Sequence, residues 1–572
     1  MKKLRSPWMK FQNVKENEIK VPNISMYDMF KGVAVENAFA PAYDYFGKVV
    51  TYKKFLQQID RTCEAFKRHG VKLGDTVTIC LPNFPEGIIC VYALNKIGAV
   101  GNMVHPLSGE EEIKSYINNS KSKIIVTLDF NKKKLKNIIE DTELKYVIMV
   151  DADNSLKLHL KFGYKLKNNK LFNEEKLTKP YIKFNRFLVN NPGEEIIEDV
   201  ESNDNIADRN AIILHSGGTT GTPKDIILTN VNFNALAIQG KHLFSHFKKG
   251  DRVLTIMPIF HGFGLGVSVH CIYYLGGQTI LVPKFEAKKC DKLIRKNKPN
   301  MIIGVPTLFE ALINNKGFKK VDLSFVENVI CGGDTLTESL KNRVNKFLKE
   351  HNSPAVIEQG YGLSEAVAAT SYAKKDLGAP CSIGIPLLGN YYKIVEEGSE
   401  KEVPYNCDGE ICIYGPTLMK GYLNQPEETN KVLRKHKDGY TWLHTGDVGC
   451  MSEEGIITYK QRYKRMIVSS GYNIYPQHIE NIINGHESVA KSCVVGAPHK
   501  YKVQVAKAFI VLKEGVQASS KIKKEIDTLC KKNLPKFSVP QKYLFKDEFP
   551  TTLIGKVDYR TLQDEAEADK DE

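Results

Sequence analysis

Short apolar runs separated by stretches of helical spacing set the strongest limit on how this chain can fold. The runs "DTVTICL", "KIIVTL" and "YVIMVD" come first, and "AIILHS", "RVLTIMP", "GQTILVP", "MIIGVP", "NVICGG" and "VIEQGYG" follow after residue 208. Between the early ones, "TYKKFLQQIDRTCEAFKRHG" has helical periodicity and ends at a glycine, and "PEGIICVYALNKIGAV" is helical again. This alternation predicts an α/β architecture with largely parallel sheets. From about residue 387 the strands shorten and turns multiply ("GNYYKIVEEG", "DGEICIYG", "GIITYKQR"), which predicts an antiparallel β subdomain. Beyond 465 come two helical patterns and a β-rich "VQVAKAFIVL", and the last seven residues, from Ala566, read as a charged, frayed tail.

With 572 residues, more than one domain is expected. A hydrophobic content of 42% and a charged content of 26% belong to a soluble globular chain. No window is apolar enough to span a bilayer, since "GIICVYALNKIGAVGNMV" is broken by Asn95 and Lys96. The N-terminal "MKKLRSPWMKFQ" lacks an apolar run behind its basic residues, and the 12 cysteines form no C-x-x-C pair, so the expected compartment is a reducing cytoplasm. The net charge of +15 comes from lysines scattered along the chain without a nucleic-acid motif, so no nucleic-acid partner is expected. Residues 156–188 are the exception, alternating apolar and basic residues with two acids. The favoured reading is an edge hairpin with a solvated cationic face. The other is a surface that makes peripheral contact with anionic lipid.

The loop 215–225, "HSGGTTGTPKD", is built for phosphate. Gly217, Gly218 and Gly221 expose backbone N–H groups, and Ser216, Thr219, Thr220 and Thr222 add hydroxyls. It is not a Walker A loop. Pro223 precedes Lys224 and Asp225 follows it, where a magnesium-binding Ser or Thr would be required.

Taken in order, this loop, "PIFHGFG" (258–264), "CGGDTL" (331–336), "YGLSE" (361–365), "GEICIYGPTLMKGYLNQPEET" (409–429), "TGD" (445–447), "RYKRMIVSSGYNIYPQHIE" (462–480) and "PTTLIGKVDYR" (550–560) resemble the motif series of the adenylate-forming superfamily. The resemblance runs from about residue 27 to 563, with the motifs in family order. It implies a large N-terminal AMP-binding domain, 1–463, of α/β subdomains plus an antiparallel β subdomain. A small, mobile α+β C-terminal domain, 464–572, would carry the adenylation lysine.

It also implies a chemistry. A carboxylate attacks the α-phosphorus of ATP, pyrophosphate leaves, and the acyl group passes from acyl-AMP to the thiol of CoA. Bringing a carboxylate to a triphosphate requires fixed cations and donors where charge develops. By resemblance, Ser216, Gly217, Gly218, Thr219, Thr220, Gly221 and Lys224 hold the leaving phosphates, with Thr219 counted as catalytic. Glu365 is the ligand for Mg²⁺, with Ser364 beside it. Tyr361 and Gly362, with Gly332, Gly333 and Asp334, line the adenine pocket. Asp447 accepts the ribose hydroxyls and Arg462 is its basic partner. Lys556 stabilises the adenylation transition state as a mobile point charge, and Lys464 is the hinge about which the C-terminal domain turns. Gly471 faces the thiol tunnel. His261 and Gly262 border the acyl pocket, although a buried core histidine is an equal reading. Asp225 stands where relatives carry glycine, and the simple expectation is a side chain pointing to solvent.

An amino-acid substrate would call for a carboxylate soon after "PIFHGFG", and "LGVSVHCIYYLGG" has none. The expectation is an AMP-forming carboxylic acid–CoA ligase for a medium- or long-chain fatty acid. Loading of an acyl-carrier protein, or an aryl or polycyclic acid as substrate, are the alternatives.

Overall fold

Thr51 accepts a hydrogen bond from the Lys54 N–H and so starts the helix Tyr52–Arg68, which buries Tyr52, Phe55, Ile59, Cys63 and Phe66 at helical spacing. The strands Ile124–Leu128, Tyr146–Val150 and Met301–Gly304 are buried at every residue, as apolar runs covered on both faces must be. The computed structural model describes residues 4–12, 14, 17–167, 179–190, 205–216, 224–244, 246–319, 321–374, 377, 382–469, 472–499, 501–552 and 556–568.

Among the described residues the strands make three sheets. In the 14-stranded sheet, Gln278–Leu281, Arg252–Thr255, Met301–Gly304, Asn328–Cys331 and Ile357–Gly362 lie side by side in parallel. The same sheet continues antiparallel through Ala369–Ala373, Ser382–Pro386, Ile457–Arg462, Thr441–Met451, Gly409–Tyr414 and Tyr391–Val395. The turn-rich region expected as a subdomain is therefore an extension of the parallel sheet. In the eight-stranded sheet, Val100–Met103, Thr76–Cys80, Ile124–Leu128 and Tyr146–Val150 are parallel, and Asn210–Ser216 joins them beside Val100–Met103. The smaller five-stranded sheet is built from the chain beyond residue 466. The "phosphate" loop, "CGGD" and "YGLSE" all follow the carboxyl ends of strands, where α/β sheets place ligands.

Two expectations need correcting. The described residues of 156–188 do not pair as a hairpin. A helix, Leu158–Lys167, comes first, and Tyr181–Lys183 then adds a parallel edge strand to Tyr146–Val150. The leucine and lysine spacing of 157–166 fits a 3.6-residue period once solvent lies on the apolar side. The C-terminal tail is also shorter than expected, because the helix Tyr559–Ala568 docks through Leu562 and Ala566. Among the described residues, no helix is long and apolar enough to cross a membrane.

Candidate active site

Asp447 is 1% exposed and lies on Thr441–Met451, directly across the strand pair from Arg462. The Tyr361 hydroxyl donates to its Oδ2 at 2.5 Å, and Arg462 Nε stands 3.0 Å from Oδ1. Burial raises the Asp447 pKa, and Arg462 opposes that rise. Burial and then Asp447 hold the Tyr361 phenol well above its usual range, so it stays a donor. Among the described residues no donor is aligned on Asp447 Oδ1 for a hydrogen bond beyond the Arg462 ion pair, so this buried acceptor can take a ligand hydroxyl.

The "TGD" turn is anchored from below by residues the sequence motif did not single out. Glu410 accepts from the Gly446 N–H at 3.0 Å and from His444 Nδ1 at 2.8 Å. His436 Nε2 lies 2.9 Å from His444 Nε2. The two imidazoles share one hydrogen bond through these nitrogens, in which a neutral His436 can serve as donor or as acceptor. Burial, then Lys393, lowers the His436 pKa to about 4, which keeps it neutral for that role.

Glu365 occupies a tight turn, Ser364–Ala366, followed by Val367 at φ 63°, ψ −63°. A β-branched residue with positive φ is strained, and such strain persists only where the surroundings enforce it. Here Gly262 and Gly362 allow the close approach. A Cβ on Gly262 would lie 1.6 Å from the Val367 carbonyl oxygen, and one on Gly362 would lie 1.5 Å from that of Ala368. Tyr422 donates to Glu365 Oε1 at 2.9 Å, and the Met419 N–H donates to the Glu365 carbonyl at 2.7 Å. After Gly262 the chain winds into a π-helix, Phe263–Cys271, a form common at functional sites. Gly332 faces Phe263 and the Gly360 carbonyl, and Gly333 continues the turn at φ 78°. Asp334 beside them is exposed, and its carboxylate accepts from the Thr335 N–H at 2.8 Å.

Ser216 and Lys224 face each other at the base of the phosphate loop. Lys224 pairs with Glu428 at 2.7 Å and lies over the Tyr422 ring at 4.6 Å. Lys224 and Lys431 together hold the Glu428 carboxyl down to about 2. Gly217, Gly218, Thr219, Thr220, Gly221 and Thr222, and likewise Gly471, lie outside the described residues. Asp225 corrects the expectation of a solvated side chain, because it is 2% exposed. It accepts from His215 Nδ1 at 2.7 Å and from Asn119 Nδ2 at 3.2 Å. His215 stacks on Tyr116 with centroids 3.7 Å apart.

Lys464 lies in the turn Tyr463–Arg465, between the strand Ile457–Arg462 of the large sheet and Ile467–Ser469 of the small one. Burial lowers its pKa, and so do Lys224, Arg462 and Arg560. Lys556, on the small-sheet side, reaches back to the same centre. Burial lowers its pKa, with Asp334 raising it and Arg462 lowering it. His261 is brought down to about 4 by burial and then by Lys556, so it is neutral at physiological pH. Its Nδ1 accepts from the Phe263 N–H at 3.2 Å.

The fold thus brings Tyr361, Asp447, Arg462, Asp334, His261 and Lys556 to one centre, with Glu365, Lys224 and Lys464 at its edge. A buried acceptor, a hard carboxylate and a ring of cations can hold a polyanion that carries a sugar. The supports missed in the sequence are Glu410, His444, His436, Tyr422 and Glu428. Glu410, Tyr422 and Glu428 stand inside the quoted 409–429 motif, and His444 directly precedes "TGD".

The AMP-binding enzyme family matches residues 30–423, and the AMP-binding enzyme C-terminal domain matches residues 478–556. A long-chain-fatty-acid–CoA ligase of Bacillus subtilis is 31% identical over 98% of both chains. A long-chain-fatty-acid–CoA ligase of Escherichia coli O6:H1 is 29% identical over 95% of this chain and 94% of its own. The crystal structure of an anthranilate CoA ligase in complex with anthranoyl-AMP superimposes with a TM-score of 0.82 at 20% identity, covering 97% of this chain and 99% of the other.

Proposed function

This chain belongs to the AMP-binding enzyme family, and from that premise we propose that it is an AMP-forming carboxylic acid–CoA ligase acting on a medium- or long-chain fatty acid. The observation that carries this reading is the Lys556 ammonium, delivered from the smaller unit into the field of Asp334, Arg462 and His261. Such a cation is placed to serve adenylation by opposing the charge that gathers at the α-phosphate.

In the proposed mechanism Asp447 accepts the ribose hydroxyls, with Tyr361 and Arg462 orienting its carboxylate. The fatty carboxylate oxygen attacks the α-phosphorus, the bond to the β-phosphate oxygen breaks, and pyrophosphate leaves with the electron pair. Lys556 opposes the charge gathering on the attacking carboxylate and the α-phosphate, where a preorganised cation counts most. Lys224 and the hydroxyls of Ser216, Thr219 and Thr220 take the leaving pyrophosphate. Glu365, with one oxygen hydrogen-bonded by Tyr422, would hold Mg²⁺, which supplies charge neutralisation across the phosphates. In the second half-reaction the CoA thiol attacks the acyl carbonyl and AMP departs. Lys556 would then withdraw as the unit 464–572 turns about Lys464 relative to 1–463.

The fatty-acid assignment draws on the Bacillus and Escherichia relatives and on the buried, mainly apolar stretch Leu265–Cys271 beside His261, which carries only Ser268 and His270 as polar side chains. The proposed compartment is the cytoplasm. An ATP-dependent pyrophosphate-release panel over fatty, aryl and amino acids, with and without CoA, tests the proposal. Turnover confined to fatty acids and dependent on CoA supports it. Transfer to a carrier protein but not to CoA, or turnover of aryl acids alone, overturns it in favour of the corresponding alternative.

A further inference from the structure

The helix Leu158–Lys167 is amphipathic with its apolar side turned outward. Leu158, Phe162 and Leu166 fall on one stripe, and they are 88%, 60% and 59% exposed. Lys161, Tyr164 and Lys165, on the opposite and flanking arc, are the partly covered residues. A helix docked by the ordinary logic of folding would show the reverse. Single exposed leucines are common on soluble proteins, whereas three in register make a patch that calls for a partner.

The neighbouring hairpin, Pro41–Tyr45 with Lys48–Thr51, also carries outward apolar side chains, Phe46 and Val49, each 51% exposed. The two elements adjoin. A Cβ on Gly47, at the hairpin tip, would lie 3.5 Å from Lys157 Nζ and 3.9 Å from Lys296 Nζ, and the Tyr164 phenol acts electrostatically on Tyr45. Lys48, Lys157, Lys161, Lys165 and Lys296 thus border the apolar surface, and the chain from 154 to 167 contains no acid. Glu86, the acid coupled to Lys48, is 2% exposed and accepts from Asn154 and Ser155.

We propose that this face docks on an anionic lipid bilayer. Apolar side chains bordered by lysines match the acyl boundary and the charged headgroups of such a membrane. A second copy of the chain would set lysine against lysine. The docked face also connects to the reacting centre. Asn154 and Ser155 hold Glu86 near the start of the helix Pro85–Ile97, and Asn83 just before it binds the carbonyls of residues 255–257 and the Ile259 N–H. His261 lies two residues further on. Docking does not depend on which acid the enzyme activates, so it can fail or stand independently of the fatty-acid reading.

The test is flotation of the full-length protein with phosphatidylglycerol/phosphatidylcholine vesicles and with phosphatidylcholine vesicles alone, at low and high salt. The expected result is at least about tenfold stronger partitioning to the anionic vesicles, weakened by salt. Leu158→Ser with Phe162→Ser, and separately Lys157→Glu with Lys161→Glu, should each lower it by about tenfold with the melting temperature unchanged. If the serine pair fails to fold, the charge-reversal pair carries the test. Failure of the wild type to bind, or binding by both variants at wild-type strength, overturns the proposal. So does a lipid-free dimer that Phe162→Ser dissolves, which would mark an interface between copies.

Discussion

His215 Nδ1 lies 2.7 Å from Asp225 Oδ1, and the two residues face each other one rung before the phosphate loop leaves its strands. The other ring nitrogen lies 2.8 Å from Asn102 Oδ1, and Asn102 is held in that orientation because its amide nitrogen donates to Thr78 and Ser120. The loop is therefore clamped at its base by a buried polar chain. Asp225→Ala should destabilise the fold by about 3 kcal/mol, because it strips a buried histidine of its carboxylate. It should also raise the KM for ATP more than it lowers kcat. Asp225→Gly paired with His215→Phe should recover much of the stability in denaturant titrations, since both buried partners are then removed together. Full additivity of the two substitutions would deny the clamp.

Much of the fold was legible in the sequence, because fully buried strands such as Ile124–Leu128 are apolar at every position but Thr127, and capped helices such as Tyr52–Arg68 carry their own boundaries. The role of Asp225 was not legible. Its partner His215 stands ten residues away on another strand, and only the sheet register brings them together. The helix at 158–167 was misread for a related reason. Its apolar and basic residues alternate locally like a strand, and nothing in the sequence says which side meets solvent. Glu410 and His444 carry no signal of their own, because Glu410 reaches the Asp447 turn through the backbone N–H of Gly446 and His444 reaches it through Glu410.

Asp447 sits where a carboxylate is costly unless it has work to do. Asp447→Ala should raise the KM for ATP by about 10- to 100-fold, the loss of one charge-assisted hydrogen bond or slightly more. Steady-state kinetics at varied ATP check this. An unchanged KM would remove Asp447 from the nucleotide site.

Gly262→Ala drives a methyl group into the Val367 carbonyl, 1.6 Å from where its Cβ would stand. The backbone must move, and with it the Glu365 turn. A loss of about 1–3 kcal/mol in stability is expected, together with weaker MgATP binding by calorimetry. A variant as stable and as tight-binding as the wild type would contradict the packing described.

His270 is fully buried between Tyr92 and Asn234, and burial lowers its pKa to about 3. The folded state keeps this ring neutral, while the unfolded chain protonates it near its ordinary value of 6.5. Stability is therefore unaffected above that pH and lost as pH falls from about 6.5 towards 3. At pH 5 this one histidine should cost about 2 kcal/mol relative to pH 7.5. His261 and His436, both lowered to about 4, act in the same direction. Urea midpoints at the two pH values measure the loss, and His270→Gln should flatten the dependence.

In the proposed mechanism Lys556 serves adenylation alone. Lys556→Ala should slow ATP-dependent acyl-adenylate formation by about 10²- to 10³-fold, the scale of removing a preorganised transition-state partner. Transfer from chemically supplied acyl-AMP to CoA should stay within about threefold of the wild type, since that step begins only after the lysine has withdrawn. Measuring the two half-reactions separately on one folded preparation decides the matter. Selective loss of the first is expected, and equal loss of both would remove Lys556 from its adenylation-only role.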